Sequence, residues 1–165
     1  MIKTKISLID NITLDSSVEF LKDIDYLNYN SRDELQARDW KSMGPFWADF
    51  RPRANFSILR NILKSESSTV ISVTEKFVSL CKNYSYDYDI DKLFLMKCHG
   101  MVDTHVDQPY RYCALNWYLF PTYGNELHVE NIVYHPKQGD LVWINTSLPH
   151  KSIHYTDDPI YILSL

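Results

Sequence analysis

The chain has 165 residues, enough to bury one core without disulfide or metal staples, and reads as a single domain over residues 1–165. Hydrophobic residues make up 45% and charged residues 23%, with a net charge of −4; this suits a soluble globular fold and offers no basic cluster for gripping nucleic acid. No apolar run is long enough to span a bilayer, and the apolar part of the N-terminal MIKTKISLID is too short for a secretory signal. Cys81, Cys98 and Cys113 are odd in number, lack C-x-x-C spacing and read as reduced, mostly buried thiols of a cytoplasmic protein. Twelve Tyr, seven Phe and four Trp suit an aromatic-rich β core or an aromatic-lined pocket.

In chain order, residues 3–9 fit a short strand. Residues 16–24 predict a helix, because Ser16-Ser17-Val18-Glu19 has a capping-box pattern and Val18, Leu21 and Ile24 recur at helical spacing. Residues 25–54 carry Tyr26, Tyr29, Trp40, Phe46, Trp47 and Phe50 without a clean period; so long an aperiodic stretch reads as a lid or binding loop, or as elements without a legible pattern. Trp40 and Trp47 read as packing residues before they read as a substrate cage. Phe56, Leu59 and Leu63 predict a helix over 55–64. Val70, Val73, Phe77 and Leu80 predict another over 68–83, capped by Ser67 or Ser68.

From residue 91 the pattern turns to β, with strands expected at 91–98, 103–107, 111–120, 126–134, 140–145, 149–154 and 159–164. Helices first and many short strands after predict an α+β domain. Residues 1–90 would supply helical support and a possible lid; residues 91–165 would form a jelly-roll core, the double-stranded β-helix of cupin-like proteins, with the N-terminal helices packed on one sheet.

The chemistry concentrates in His105-Val106-Asp107, Gly139-Asp140-Leu141-Val142-Trp143 and His150. Side chains at i and i+2 of a strand share a face, so His105 and Asp107 can reach one cavity, with His150 arriving on a later strand. Two histidines and a carboxylate on one side of a metal leave open positions opposite, the facial triad of non-haem Fe(II) oxygenases. His154 shares the strand face of His150 and is its rival as third ligand; the glycine turn favours His150. His99, His128 and His135 read as structural histidines, Asp140 as a turn residue, and Cys98 and Cys113 as core thiols.

Residues 94–165 resemble the Fe(II)/2-oxoglutarate-dependent dioxygenases, in particular their small prolyl-hydroxylase-like branch. Met96-Lys97-Cys98-His99-Gly100 and Thr104-His105-Val106-Asp107 look like the family's strand, turn and H-x-D segment. Arg111 to Pro121 looks like the strand ending in a Tyr-Leu pair, here Tyr118-Leu119. Gly124-Asn125-Glu126-Leu127 looks like its G-G-E-L segment, and Gly139 to Ile144 with His150 like its glycine turn and distal histidine. The resemblance implies Fe(II) on His105, Asp107 and His150, 2-oxoglutarate as cosubstrate, O2 as oxidant, and hydroxylation of a small molecule, amino acid or peptidyl residue. The carboxylate at Asp107 favours hydroxylation over halogenation, which needs that ligand replaced.

The sequence departs from the family where an Arg usually follows the distal His by about ten residues and clamps the far carboxylate of 2-oxoglutarate. Ile160 stands near that place, and no Arg or Lys follows Lys151. A buried carboxylate needs a partner. The ordered candidates are Tyr118, Asn116 and Arg111 on the strand after the H-x-D turn, with Arg51 and Arg53 in the unassigned loop also open. Two other classes stay in view. One is a cupin-type metalloprotein that does not use 2-oxoglutarate, against which Pro136-Lys137-Gln138-Gly139-Asp140-Leu141-Val142 lacks a histidine. The other is a non-catalytic binding protein on the same barrel. The substrate and oligomeric state have no signature in the sequence.

Overall fold

In Ala114–Tyr118 (β5) every residue is buried, so both faces of this strand are covered. The odd positions Leu115 and Trp117 join one hydrophobic cluster; the even positions Ala114 and Tyr118 join another. Period-2 alternation therefore divides the interior into two layers, one on each side of the sheet that holds β5.

The computed structural model describes residues 4–23, 56–59, 68–83, 93–98, 101–107, 112–156 and 158–165. The elements are β1 (Ile6–Asn11), a 3-10 segment (Ser16–Lys22), β2 (Phe56–Leu59), α1 (Ser68–Asn83), β3 (Phe94–Cys98), β4 (Met101–His105), β5, β6 (Asn125–Val129), β7 (Ile132–Tyr134), β8 (Asp140–Ile144), β9 (His150–His154) and β10 (Ile160–Ser164). A six-stranded sheet runs β1-β8-β5-β10-β3-β2 and a four-stranded sheet β4-β9-β6-β7. Neighbouring strands are antiparallel. From β3 onward the chain changes sheet at every connection except the β6–β7 hairpin. The result is a mostly antiparallel two-sheet sandwich with one α-helix among the described residues.

The layer between the sheets holds Cys98, Ala114, Tyr118, Leu127, Val129, Val142, Ile144, Ile160 and Ile162. The outer layer packs Val73, Phe77 and Cys81 of α1, with Val18 and Leu21, onto Leu115, Trp117, Leu141 and Leu163. Phe77 stacks on Trp117 with ring centroids 6.1 Å apart. The buried Trp117 indole donates to the carbonyl of Ile12 (3.0 Å), which satisfies its one polar atom. Gly139 takes φ +84°, and a Cβ there would lie 2.9 Å from the Ile12 backbone, so the turn before β8 closes tightly on the end of β1. Asp140 serves that turn: it accepts from Asn11 Nδ2 (2.7 Å), Tyr134 Oη (2.6 Å) and Lys137 N (2.8 Å).

Three expected elements change form. The helix expected over 55–64 is a strand at Phe56–Leu59, paired with β3 in the register Ile58↔Met96; the open edge of β3 overrides the i, i+3 spacing of Phe56 and Leu59. Residues 60–64 lie outside the described set. The helix expected over 16–24 is a 3-10 segment, whose buried Val18 and Leu21 sit three apart and so share a face at three residues per turn. The single strand expected over 126–134 is a hairpin turning at Glu130-Asn131, with Glu130 at φ 52°. Lys5 fastens that turn, 2.6 Å from Glu130 Oε2 and 2.8 Å from Asn131 Oδ1. The expected set of N-terminal helices reduces, among the described residues, to α1 and the 3-10 segment. The lid reading of 25–54, with Trp40, Trp47, Arg51 and Arg53, falls outside the described residues.

Replacing Phe77, which is fully buried, with Ala leaves a cavity against Trp117. The expected loss is about 3–5 kcal/mol of unfolding free energy, read from the midpoint shift of a denaturant titration at constant slope.

Candidate metal centre

β4 and β9 are neighbours, and their register places His105 directly opposite His150. The two rings lie 4.2 Å apart, centroid to centroid, tilted by 53°. Asp107 does not belong to the strand, as the sequence pattern suggests; it stands two residues past the end of β4. The ladder ends at the His105–His150 pair, and the Asp107 N–H instead donates to the carbonyl of Thr146 (3.0 Å) in the β8–β9 connection. That bond ties the segment carrying the carboxylate to the loop that delivers His150.

The carboxylate oxygen Oδ1 of Asp107 lies 3.4 Å from His105 Nε2 and 3.7 Å from His150 Nε2. One donor atom from each residue falls within 4.8 Å of the other two, and this is the His/Cys/Asp/Glu grouping of that kind among the described residues. Donors bonded to one ion at about 2.0–2.2 Å and near a right angle lie about 3 Å apart. The spacing therefore needs only a small contraction to hold a divalent ion. His150 Nδ1 sits 2.9 Å from the carbonyl of Leu148. A carbonyl only accepts, so Nδ1 carries the hydrogen and Nε2 presents its lone pair to the shared centre. Asp107 and His150 are buried, and a buried carboxylate between two imidazoles fits a metal better than it fits water. No sequence pattern pointed to the Thr146 and Leu148 carbonyls, because backbone acceptors leave no residue signature.

His154 lies on the same face of β9 but four residues further on, about 13 Å along the strand. Its Nε2 bonds the carbonyl of Asp158 and lies 3.2 Å from Thr156 Oγ1, so it stands apart from the grouping. His128 pairs with Glu126 (2.8 Å), His135 is exposed, and His99 lies outside the described residues. Burial pushes the Cys98 thiol up to about 12, so it stays protonated at neutral pH.

Tyr118 and Asn116 lie on the even, inward row of β5, and both are buried. Ser164 Oγ donates to Asn116 Oδ1 (2.5 Å), and the Asn116 side chain hydrogen-bonds the Tyr118 phenol. Burial raises the Tyr118 pKa above the ordinary tyrosine value, so the phenol remains a neutral hydrogen-bond donor. Arg111 lies outside the described residues. On β10 the register Ile162↔Tyr118 and the buried Ile160 show an apolar strand where a cation was sought. No helix among the described residues is long and apolar enough to cross a membrane.

No protein-family model matches the chain. No curated protein matches it either. Among solved structures, the chain is similar to a prolyl hydroxylase from Trichoplax adhaerens, determined in complex with a peptide fragment of the hypoxia inducible factor oxygen degradation domain. The superposition covers 98% of this chain and 82% of that one, with a TM-score of 0.58 and 15% identity. At that identity the likeness is one of fold.

His105→Ala, Asp107→Ala and His150→Ala should each weaken divalent-metal binding by more than the roughly 10- to 100-fold that loss of a mere supporting residue costs. His154→Ala should bind metal as the wild type does. Titration calorimetry with Mn(II) or Co(II) reads both, and the reverse pattern for His150 and His154 would displace His150 from the ligand set.

Proposed function

We propose that this protein is a non-haem Fe(II) and 2-oxoglutarate-dependent oxygenase of the hydroxylase type, on a double-stranded β-helix. The observation that carries the reading is the convergence of His105, Asp107 and His150 on one buried point from β4, the following segment and β9. It is supported by a fold shared with a prolyl hydroxylase and by the alternation of the chain between two antiparallel sheets.

In this reading the two Nε2 atoms and one carboxylate oxygen would hold Fe(II). Bound metal and cosubstrate would supply the oxidising chemistry, which would couple decarboxylation of 2-oxoglutarate to succinate and CO2 with entry of one oxygen atom of O2 into succinate and of the other into a substrate C–H bond. The remaining work belongs to the chain. The Thr146 and Leu148 carbonyls fix the ligand-bearing segments, and the apolar layer around Val129 and Val142 keeps water from the pocket. The Ser164–Asn116–Tyr118 chain holds a neutral phenolic donor on the inward row of β5, where it would meet the cosubstrate; Arg111, outside the described residues, is a further candidate. The substrate is a small molecule, an amino acid or a peptidyl residue. The peptide in the prolyl hydroxylase complex supports including the last of these.

The apolar face of β10 keeps one other reading in play, a metalloprotein on the same fold that does not use 2-oxoglutarate. Succinate release decides between them. The Fe(II)-loaded protein should release succinate from 2-oxoglutarate in an O2-dependent way, faster with a true substrate, and not at all in Asp107→Ala. Tyr118→Phe should lower cosubstrate affinity by about tenfold, the value of one hydrogen bond to a charged group. Absence of 2-oxoglutarate binding to the metal-loaded protein at millimolar concentration would overturn the oxygenase reading.

A further inference from the structure

The inward rows of β6 and β9 run from the candidate metal centre to the opposite end of the four-stranded sheet. Their register pairs Val129 with His150, Leu127 with Ser152 and Asn125 with His154. At the metal end the row carries a ligand. At the other end it carries two polar side chains, both more than nine-tenths buried: Asn125 is 3% exposed and His154 is 8%. Each holds a nitrogen with no hydrogen-bond partner among the described residues, Asn125 Nδ2 and His154 Nδ1. Leaving one buried polar group unpaired costs about 1–3 kcal/mol. Two such groups directly opposite each other on adjacent strands mark a place built to receive something polar.

The other atoms of both side chains are already committed, which gives the orphan atoms a direction. Asn125 Oδ1 accepts from Ser152 Oγ at 3.4 Å, so its amide N–H groups are the free side. The Asp158 carbonyl takes the Nε2–H of His154, so Nδ1 is the ring nitrogen left to meet a ligand. A carboxyl group fits this pair: one oxygen accepts from the Asn125 amide, and the other shares a proton with His154 Nδ1. Cys98 and Tyr118, on inward rows of the opposite sheet, are both held neutral by burial, so neither places a competing negative charge there.

Resting on the oxygenase reading above, we infer that Asn125 and His154 receive the far carboxylate of the 2-oxo dicarboxylate whose other end sits at His105, Asp107 and His150. The two ends of the row are four residues apart on β9, about 13 Å at the rise of an antiparallel strand. A metal–ligand bond of about 2 Å at one end and a hydrogen bond of about 3 Å at the other leave space for a short diacid. The anchor belongs to the four-stranded sheet, whereas the place where a cation was sought is the apolar β10 of the other sheet. An amide–imidazole pair thus stands in for a guanidinium.

The test is calorimetric and needs no turnover. The full chain loaded with Mn(II) is titrated without O2 with 2-oxoglutarate and with 2-oxopentanoate, which has the same carbon chain but no far carboxylate. The wild type should favour the diacid by about tenfold or more, as expected for hydrogen bonds to a charged group. Asn125→Leu and His154→Phe should abolish that preference and leave the affinities for 2-oxopentanoate and Mn(II) within about twofold of the wild type. Asn125→Asp, nearly the same shape but negatively charged, should weaken the diacid further than Asn125→Leu; it carries the test if the histidine variant fails to fold. Unchanged diacid preference in these variants overturns the anchor and leaves the oxygenase reading standing. Parallel loss of both oxo acids also overturns it, since that is what a purely structural role would do. A wild type that binds neither oxo acid removes the oxygenase reading and the anchor together.

Discussion

The pairing of β4 with β9 governs everything at the candidate site. The register that sets His105 opposite His150 also sets Val129 opposite His150 on the other side of β9. A slip of one residue would turn His150, Ser152 and His154 to the outer face and separate the three candidate metal donors. The register is protected on both sides. Val129 is fully buried, and the Asp107 N–H to Thr146 bond locks the segment leaving β4 to the loop entering β9. Backbone hydrogen bonds thus carry much of what holds the site.

The six-stranded sheet supplies the rigid wall behind that arrangement. Its strands β5, β8 and β10 are buried on both faces, one against α1 and the 3-10 segment, the other against the four-stranded sheet. Burial on both faces explains why β5 carries Trp117 outward and Tyr118 inward with neither exposed to water. It also explains how Asn116 is tolerated: Ser164 on the neighbouring strand and the Tyr118 phenol satisfy it.

Polar groups in the layer between the sheets gather mainly at its two ends, with Asn116 and Ser152 between them. The candidate metal donors occupy one end. Tyr118, Asn125 and His154 occupy the other, near the connections that join β5 to β6 and β9 to β10. Apolar side chains of Leu127, Val129, Val142 and Ile144 lie between.

Several features were legible from residue order alone. The strand-rich second half, the helix at 68–83 and the grouping of His105, Asp107 and His150 follow from short-range periodicity and from ligand types at a recognisable spacing. Those signals are local, and local signals survive in a one-dimensional string. The strand at Phe56–Leu59, the hairpin at Glu130-Asn131 and the support of Asp107 by Thr146 were not legible: each depends on a partner far along the chain, β3, Lys5 and the β8–β9 loop respectively. The glycine turn favoured His150 over His154 in the sequence, but the physical basis of that choice is again a long-range pairing. Both share one strand face and one residue type, and the register of β9 against β4 and β6 sets one beside the carboxylate of Asp107 and the other opposite Asn125, with its Nε2 bonded to the Asp158 carbonyl. Cross-strand register is decided by burial on both faces of a sheet, which exists only once the sheets have packed.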